Sequence, residues 1–208
     1  MTAHRSTVAL VGVAALVALA GRPALDRVRA GSLDDVTVGE VVLDCSDGAS
    51  AVAVTPEGLS STVPRLDIGE DGRCQGRVEV TNPGRFDLRI VRVSFADAGL
   101  EGEGPLLVDG LTAGGARFVT VEEPGDEPHD PADATFEVTQ PLPAGESRTL
   151  VFSVRRARSR CAALPPDAVG TSLAPGRFPA VRVEAGGRRA AAVAGPGGAT
   201  VEVVARPC

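Results

Sequence analysis

The sequence predicts an all-β fold, a β-sandwich of about seven to nine strands behind an N-terminal apolar targeting helix. Three observations carry this. Short segments alternate polar and apolar residues with period two, which sets one strand face on a core and the other in water. Beyond residue 38 no segment keeps a 3.6-residue apolar period for ten residues. Turn signals built from Gly, Pro and Asn punctuate the chain about every ten residues, the spacing of an all-β sandwich.

The N-terminus is read first as a targeting element. His4 and Arg5 give a short polar, positive start, and Val8 to Ala20 then runs thirteen residues without a charge until Arg22 and Pro23 end it. A spanning helix needs about 20 apolar residues, whereas thirteen matches the apolar region of a signal peptide. Ala18-Leu19-Ala20 is a small-residue cleavage signature, so residues 1–20 are a signal peptide cleaved after Ala20 or an uncleaved N-terminal membrane anchor. Both readings place the body outside the cytoplasm, secreted or anchored by that segment, and limit membrane contact to it if it is retained. Residues 21–38, with Arg22, Arg27, Arg29, Asp34 and Asp35, read as a tether, and residues 39–208 as the sandwich.

The cysteines agree with export. Cys45, Cys74, Cys161 and Cys208 are even in number, and an oxidising context makes two disulfides the expected outcome. Three connectivities exist; loop-closure entropy favours sequence neighbours, Cys45–Cys74 with Cys161–Cys208. A zinc site is disfavoured because no Cys-x-x-Cys occurs.

Individual strands follow from the alternation. Thr135–Thr139, Ser147–Arg155, Val181–Glu184 and Val201–Val203 alternate cleanly, and Leu150, Phe152 and Val154 share one face. Asn82-Pro83-Gly84 separates Gly76–Thr81 from Arg85–Phe95, and Gly186-Gly187 separates Phe178–Ala185 from Arg188–Val193 as a tight hairpin. The strand ending at Phe95 slips phase: Phe86, Leu88 and Ile90 share one face, Val91, Val93 and Phe95 the other. Either a β-bulge sits near Ile90-Val91 or both faces are buried. About nine candidate strands are counted in all; the six Phe fall in or beside them and supply most of the large core volume, the rest being Gly, Ala and Val.

Asn82-Pro83-Gly84 between two strands, and Leu142-Pro143-Ala144-Gly145-Glu146-Ser147 leading into Leu150-Val151-Phe152-Ser153-Val154, resemble the turns of bacterial immunoglobulin-like and fibronectin-III-like domains. The resemblance covers residues 76–155 directly and 40–208 by strand count. It implies an immunoglobulin-like β-sandwich and leaves activity open, since such folds host many functions. The buried Trp and the Tyr corner of antibody domains are absent, because the chain has no Trp and no Tyr.

Composition narrows the function. With 21 basic residues, all Arg, against 27 acidic ones, the net charge of -6 argues against nucleic-acid binding, which needs basic excess. Beyond the leader only His129 remains as histidine, and it sits in a Pro-rich acidic loop, a poor place to fix a catalytic relay. No catalytic set and no cofactor motif is found, so the chain is expected not to be an enzyme. Asp126, Glu127, Asp130 and Asp133 are oxygen donors for a weak calcium site, without EF-hand spacing and stiffened by Pro; a solvated acidic loop is the plainer reading.

Charge is uneven along the chain. From Asp97 to Glu137 there are eleven acidic residues and one Arg, and from Arg148 to Cys208 ten Arg and three acidic residues. Arg155, Arg156, Arg158 and Arg160 form the tightest cluster. Acidic and basic strands that are neighbours in the fold would compensate each other; alternatively the Arg148–Arg160 region binds an anionic glycan or lipid headgroup. The leading expectation is a non-enzymatic envelope domain that binds or supports a protein partner, with an anionic envelope polymer as the alternative ligand. A sandwich of this kind presents an exposed edge strand that invites pairing, and the sequence does not identify which edge.

Overall fold

The computed structural model describes residues 33–46, 48–55, 62–68, 72–96, 98, 106–119, 134–156, 170–174, 178–194 and 201–205. These form fifteen strand segments: β1 (Thr37–Val38), β2 (Val42–Cys45), β3 (Ala49–Val54), β4 (Val63–Ile68), β5 (Arg73–Thr81), β6 (Leu88–Phe95), β7 (Leu106–Thr112), β8 (Arg117–Val119), β9 (Ala134–Leu142), β10 (Ser147–Arg156), β11 (Gly170–Ala174), β12 (Ala180–Ala185), β13 (Arg188–Ala191), β14 (Val193–Ala194) and β15 (Val201–Ala205). They make three sheets. The six-stranded sheet runs β14-β1-β5-β10-β7, with β2 also on β5; the five-stranded sheet runs β13-β12-β6-β9-β8; the four-stranded sheet runs β11-β15-β4-β3. The all-β expectation holds, whereas a count of seven to nine strands is corrected upward by short segments and by a third sheet. That sheet depends on a parallel pairing of β4 with β15 from the far end of the chain, which no local pattern encodes.

Alternation sets the core face of each long strand. Val78 and Val80 of β5 and Leu150, Phe152 and Val154 of β10 are buried. Opposite them, β6 contributes Ile90, Val93 and Phe95, β9 contributes Phe136 and Val138, and β12 contributes Val181 and Val183. Four phenylalanines join the two larger sheets. Phe95 lies 4.8 Å from Phe152, 5.4 Å from Phe178 and 6.0 Å from Phe136 between ring centres, mostly edge to face, the arrangement that ring quadrupoles favour. Phe152 lies over Gly76, its register partner on β5. A glycine inside a strand is costly by itself; here the missing side chain is the space the ring occupies.

The phase slip in β6 is a bulge. Against β12 the register shifts between Arg182 and Val183, and Val91 is the extra residue; against β9 it shifts at the same place in the other sense, with Val138 and Thr139 opposing Val91. A second bulge divides the first strand of the body. Val38 pairs with Val80 and Val42 with Arg77, so three residues oppose two, and the Gly39 amide donates to the Glu79 carbonyl at 2.8 Å. The N-terminal part of this strand belongs to the packed body, since Leu33, Val36 and Val38, within the segment read as tether, are buried. The Gly186-Gly187 hairpin forms as read, both residues holding positive φ, as a two-residue turn between twisted strands requires.

Candidate functional site

Two turns carry the strongest local pattern, and the fold brings them together. Asn82 is fully buried. Its side-chain amide donates to the carbonyls of Phe86 (2.9 Å), Leu142 (3.0 Å) and Pro143 (3.1 Å), and its Oδ1 accepts from the Gly84 amide at 3.0 Å. The backbone adds two bonds: the Asn82 amide donates to Glu146 and the Gly145 amide to Asn82. Asp87 accepts from the Ala144 amide, and the hydroxyls of Thr81 and Ser147 meet at 2.9 Å. This junction saturates the polar groups where the chain passes between sheets, a structural role for a buried amide.

The Cys45–Cys74 disulfide joins β2 to β5, where the two cysteines are direct register partners. It agrees with the pairing expected from loop length and fits an oxidising, extracytoplasmic compartment. Cys161 and Cys208 lie outside the described residues, as do Ala18, Ala20, the calcium candidates Asp126, Glu127, Asp130 and Asp133, His129, and Arg158 and Arg160. Around the disulfide lies a shallow hollow of about 330 Å³, lined by Asp44, Ser46, Arg73, Gln75 and Ser153 besides the cysteines. The Ser46 hydroxyl is held between the carbonyl (3.1 Å) and amide (3.3 Å) of Arg73, so it serves the turn.

The expected anion patch is described in part. Arg155 and Arg156 end β10, half-buried and engaged with neighbouring groups, and Arg148 pairs with Glu146 at 2.7 Å. Charge is compensated elsewhere too. Arg65 of β4 makes a two-pronged bond to Glu202 of β15, at 2.9 and 3.1 Å, and hydrogen bonding to that carboxylate raises the Arg65 guanidinium pKa. Glu184 and Arg189 meet at 3.3 Å across the β12–β13 hairpin. Among the described residues no group of three or more His, Cys, Asp or Glu could hold a metal ion, and no helix is long and apolar enough to cross a membrane.

The feature that sequence reading missed is a groove of about 300 Å³ between β2 and the β3–β4 hairpin, lined by residues 40–43, 51–53 and 62–64. It holds the two large apolar side chains that stand exposed among the described residues, Val42 at 63 % and Val52 at 53 %. Among the described residues both flanking strands are sheet margins: β3 pairs only with β4, and β2 only with β5. Ala49–Val54, an apolar run with a single Ser, is the signal that could have pointed here.

No family model and no curated protein matches the chain. Among solved structures it is similar to part of the GH20 exo-β-N-acetylglucosaminidase of Vibrio harveyi, seen both in complex with N-acetylglucosamine and as an inactive mutant. In each case the TM-score is 0.33, the identity 15 %, and the match covers 81 % of this chain. The match spans about a fifth of the enzyme's length, 19 %, and a likeness at that score carries no functional argument.

Proposed function

We propose that this chain is a non-enzymatic, exported domain of the cell envelope that docks a protein partner in the groove between β2 and β3. The single observation that supports the reading is the placement of Val42 and Val52. Isolated exposed apolar residues need no explanation, but a pair that lines one groove beside strand margins is how docking surfaces are built. In the same reading the six- and five-stranded sheets form an immunoglobulin-like sandwich around the phenylalanine cluster, with the four-stranded sheet as an addition that carries β3 outward. The Cys45–Cys74 bridge fits the exported location. The test is a photo-crosslinking residue at Val52 in the native host, followed by capture and mass spectrometry. One reproducible protein, lost when Val42 is changed to Arg beside the photo-crosslinking residue at position 52, is the expected outcome; crosslinks scattered over abundant proteins, or none, would remove the reading.

A further inference from the structure

An unpaired strand edge is a template for another strand, and natural proteins blunt such edges with charge, bulges or shortness. Most edges here are blunted. β14 has two residues and β8 three; β13 carries Arg188 and Arg189; β7 is interrupted by a register shift against β10. β11 has five residues and begins with Gly170. β3 differs: it has six residues, only Ala, Ser and Val, and nothing that repels a second strand.

We propose that β3 pairs with β3 of a second copy of this chain, antiparallel, about a two-fold axis at Val52. Two four-stranded sheets thereby join into one continuous sheet. The proposal rests on the groove being a docking surface and names its occupant. Charge selects this edge for a second copy. With a net charge of -6, two copies repel each other at long range, and an interface that sets a patch against itself opposes like with like. A neutral edge is where self-pairing sets no charge against its own kind, and β3 is the longest such edge described. The register follows from geometry. A two-fold normal to the sheet keeps each side chain on its own face, so opposed residues share parity and one residue faces its twin. An axis at Val52 sets the half-exposed Val52 against the second copy's Val52, and Ser50 against Val54. β-branched residues on a shared face form a favourable cross-strand pair, and the contact covers apolar surface that one copy leaves in water.

Sedimentation velocity on the full chain over a concentration series tests this, with Val52→Arg, Ser50→Arg, Val52→Cys and Ala51→Cys variants beside the unaltered chain. A reversible monomer–dimer equilibrium is expected, weakened at least about tenfold by Val52→Arg, because two like charges would meet at the axis, and weakened by Ser50→Arg, because a charge would stand opposite Val54 of the second copy in place of a small neutral side chain. Both positions are exposed, so thermal melts should keep the variants folded; if one unfolds, the other decides. Under oxidation Val52→Cys should give a covalent dimer beyond the unaltered chain. Ala51→Cys should not, since two positions off register exceeds the ~7 Å Cα separation a disulfide spans. A monomer at every concentration, growth beyond two copies, or a dimer indifferent to the Arg variants would overturn the proposal. If the chain stays monomeric while the Val52 photo-crosslink captures a different protein, the docking reading stands and only the second copy falls. Failure of both experiments removes both.

Discussion

Asn82 shows how one side chain fixes a junction. Its amide has two hydrogens serving three carbonyls, and its oxygen accepts from Gly84. Asn82→Ala leaves those buried groups unpaired and should cost about 3 kcal/mol, read as a lower urea midpoint with an unchanged slope. Asn82→Asp is the sharper comparison. It keeps the shape and the Gly84 acceptor but turns a carboxylate toward three carbonyl oxygens, so it should destabilise at least as much as Ala. Retention of full stability by Asn82→Asp would show that the donor side of the amide is not what matters. Gly76 makes the opposite argument, through absence. A Cβ there would land in the Phe152 ring, so Gly76→Ala should cost roughly 1–3 kcal/mol by overpacking. A Gly76→Ala, Phe152→Leu double variant should lose less than the two single losses added together. Strict additivity would place the Gly76 penalty elsewhere.

At the scale of elements, the disulfide and the bulges decide how β2 and β6 lie. Cys45 and Cys74 are 29 residues apart in sequence, and a loop of that length constrains the unfolded chain by about 3–4 kcal/mol in the chain-entropy account. The Cys45→Ala, Cys74→Ala double variant should lose about that much, and reductant should lower the stability of the parent toward it. No response to reductant while the thiols are shown to be free would contradict the assignment of stability to this bridge. In β6 Val91 is the extra residue against β12, and the phase changes there, so Leu88 and Ile90 before it and Val93 and Phe95 after it are all buried. One inserted residue thus preserves burial across a phase slip.

For the whole molecule, the sheets are unequal. β5, β6, β10 and β12 are flanked on both sides and share the phenylalanine core, while β3 is a margin of small residues, mostly open to solvent. Hydrogen exchange should therefore be slowest at amides of β5, β6, β10 and β12 and much faster in β3. Slow exchange in β3 that becomes fast on dilution would be the signature of pairing with a second copy. Slow exchange at every concentration would mean that another part of the chain protects this edge.

Much of the framework was determined by the sequence alone. Period two marked β9, β10, β12 and β15, because alternation is a property of each strand with its own two faces, and the Asn82-Pro83-Gly84 turn delimited β5 and β6. The phase slip located the bulge at Val91, the Gly186-Gly187 pair located a hairpin, and sequence proximity pointed to Cys45–Cys74. Only the tertiary structure decided the rest, since pairing partners and register are long-range choices that leave no local period. The parallel union of β4 with β15, closed by Arg65 and Glu202, spans 137 residues. The three carbonyls around Asn82 arrive from two turns, and the space at Gly76 is filled by a ring from another strand. β3 has too little size contrast along Ala-Ser-Ala-Val-Ala-Val to read as a half-buried strand. That it is an edge, and so a surface at all, follows from which strands the rest of the chain left unpaired.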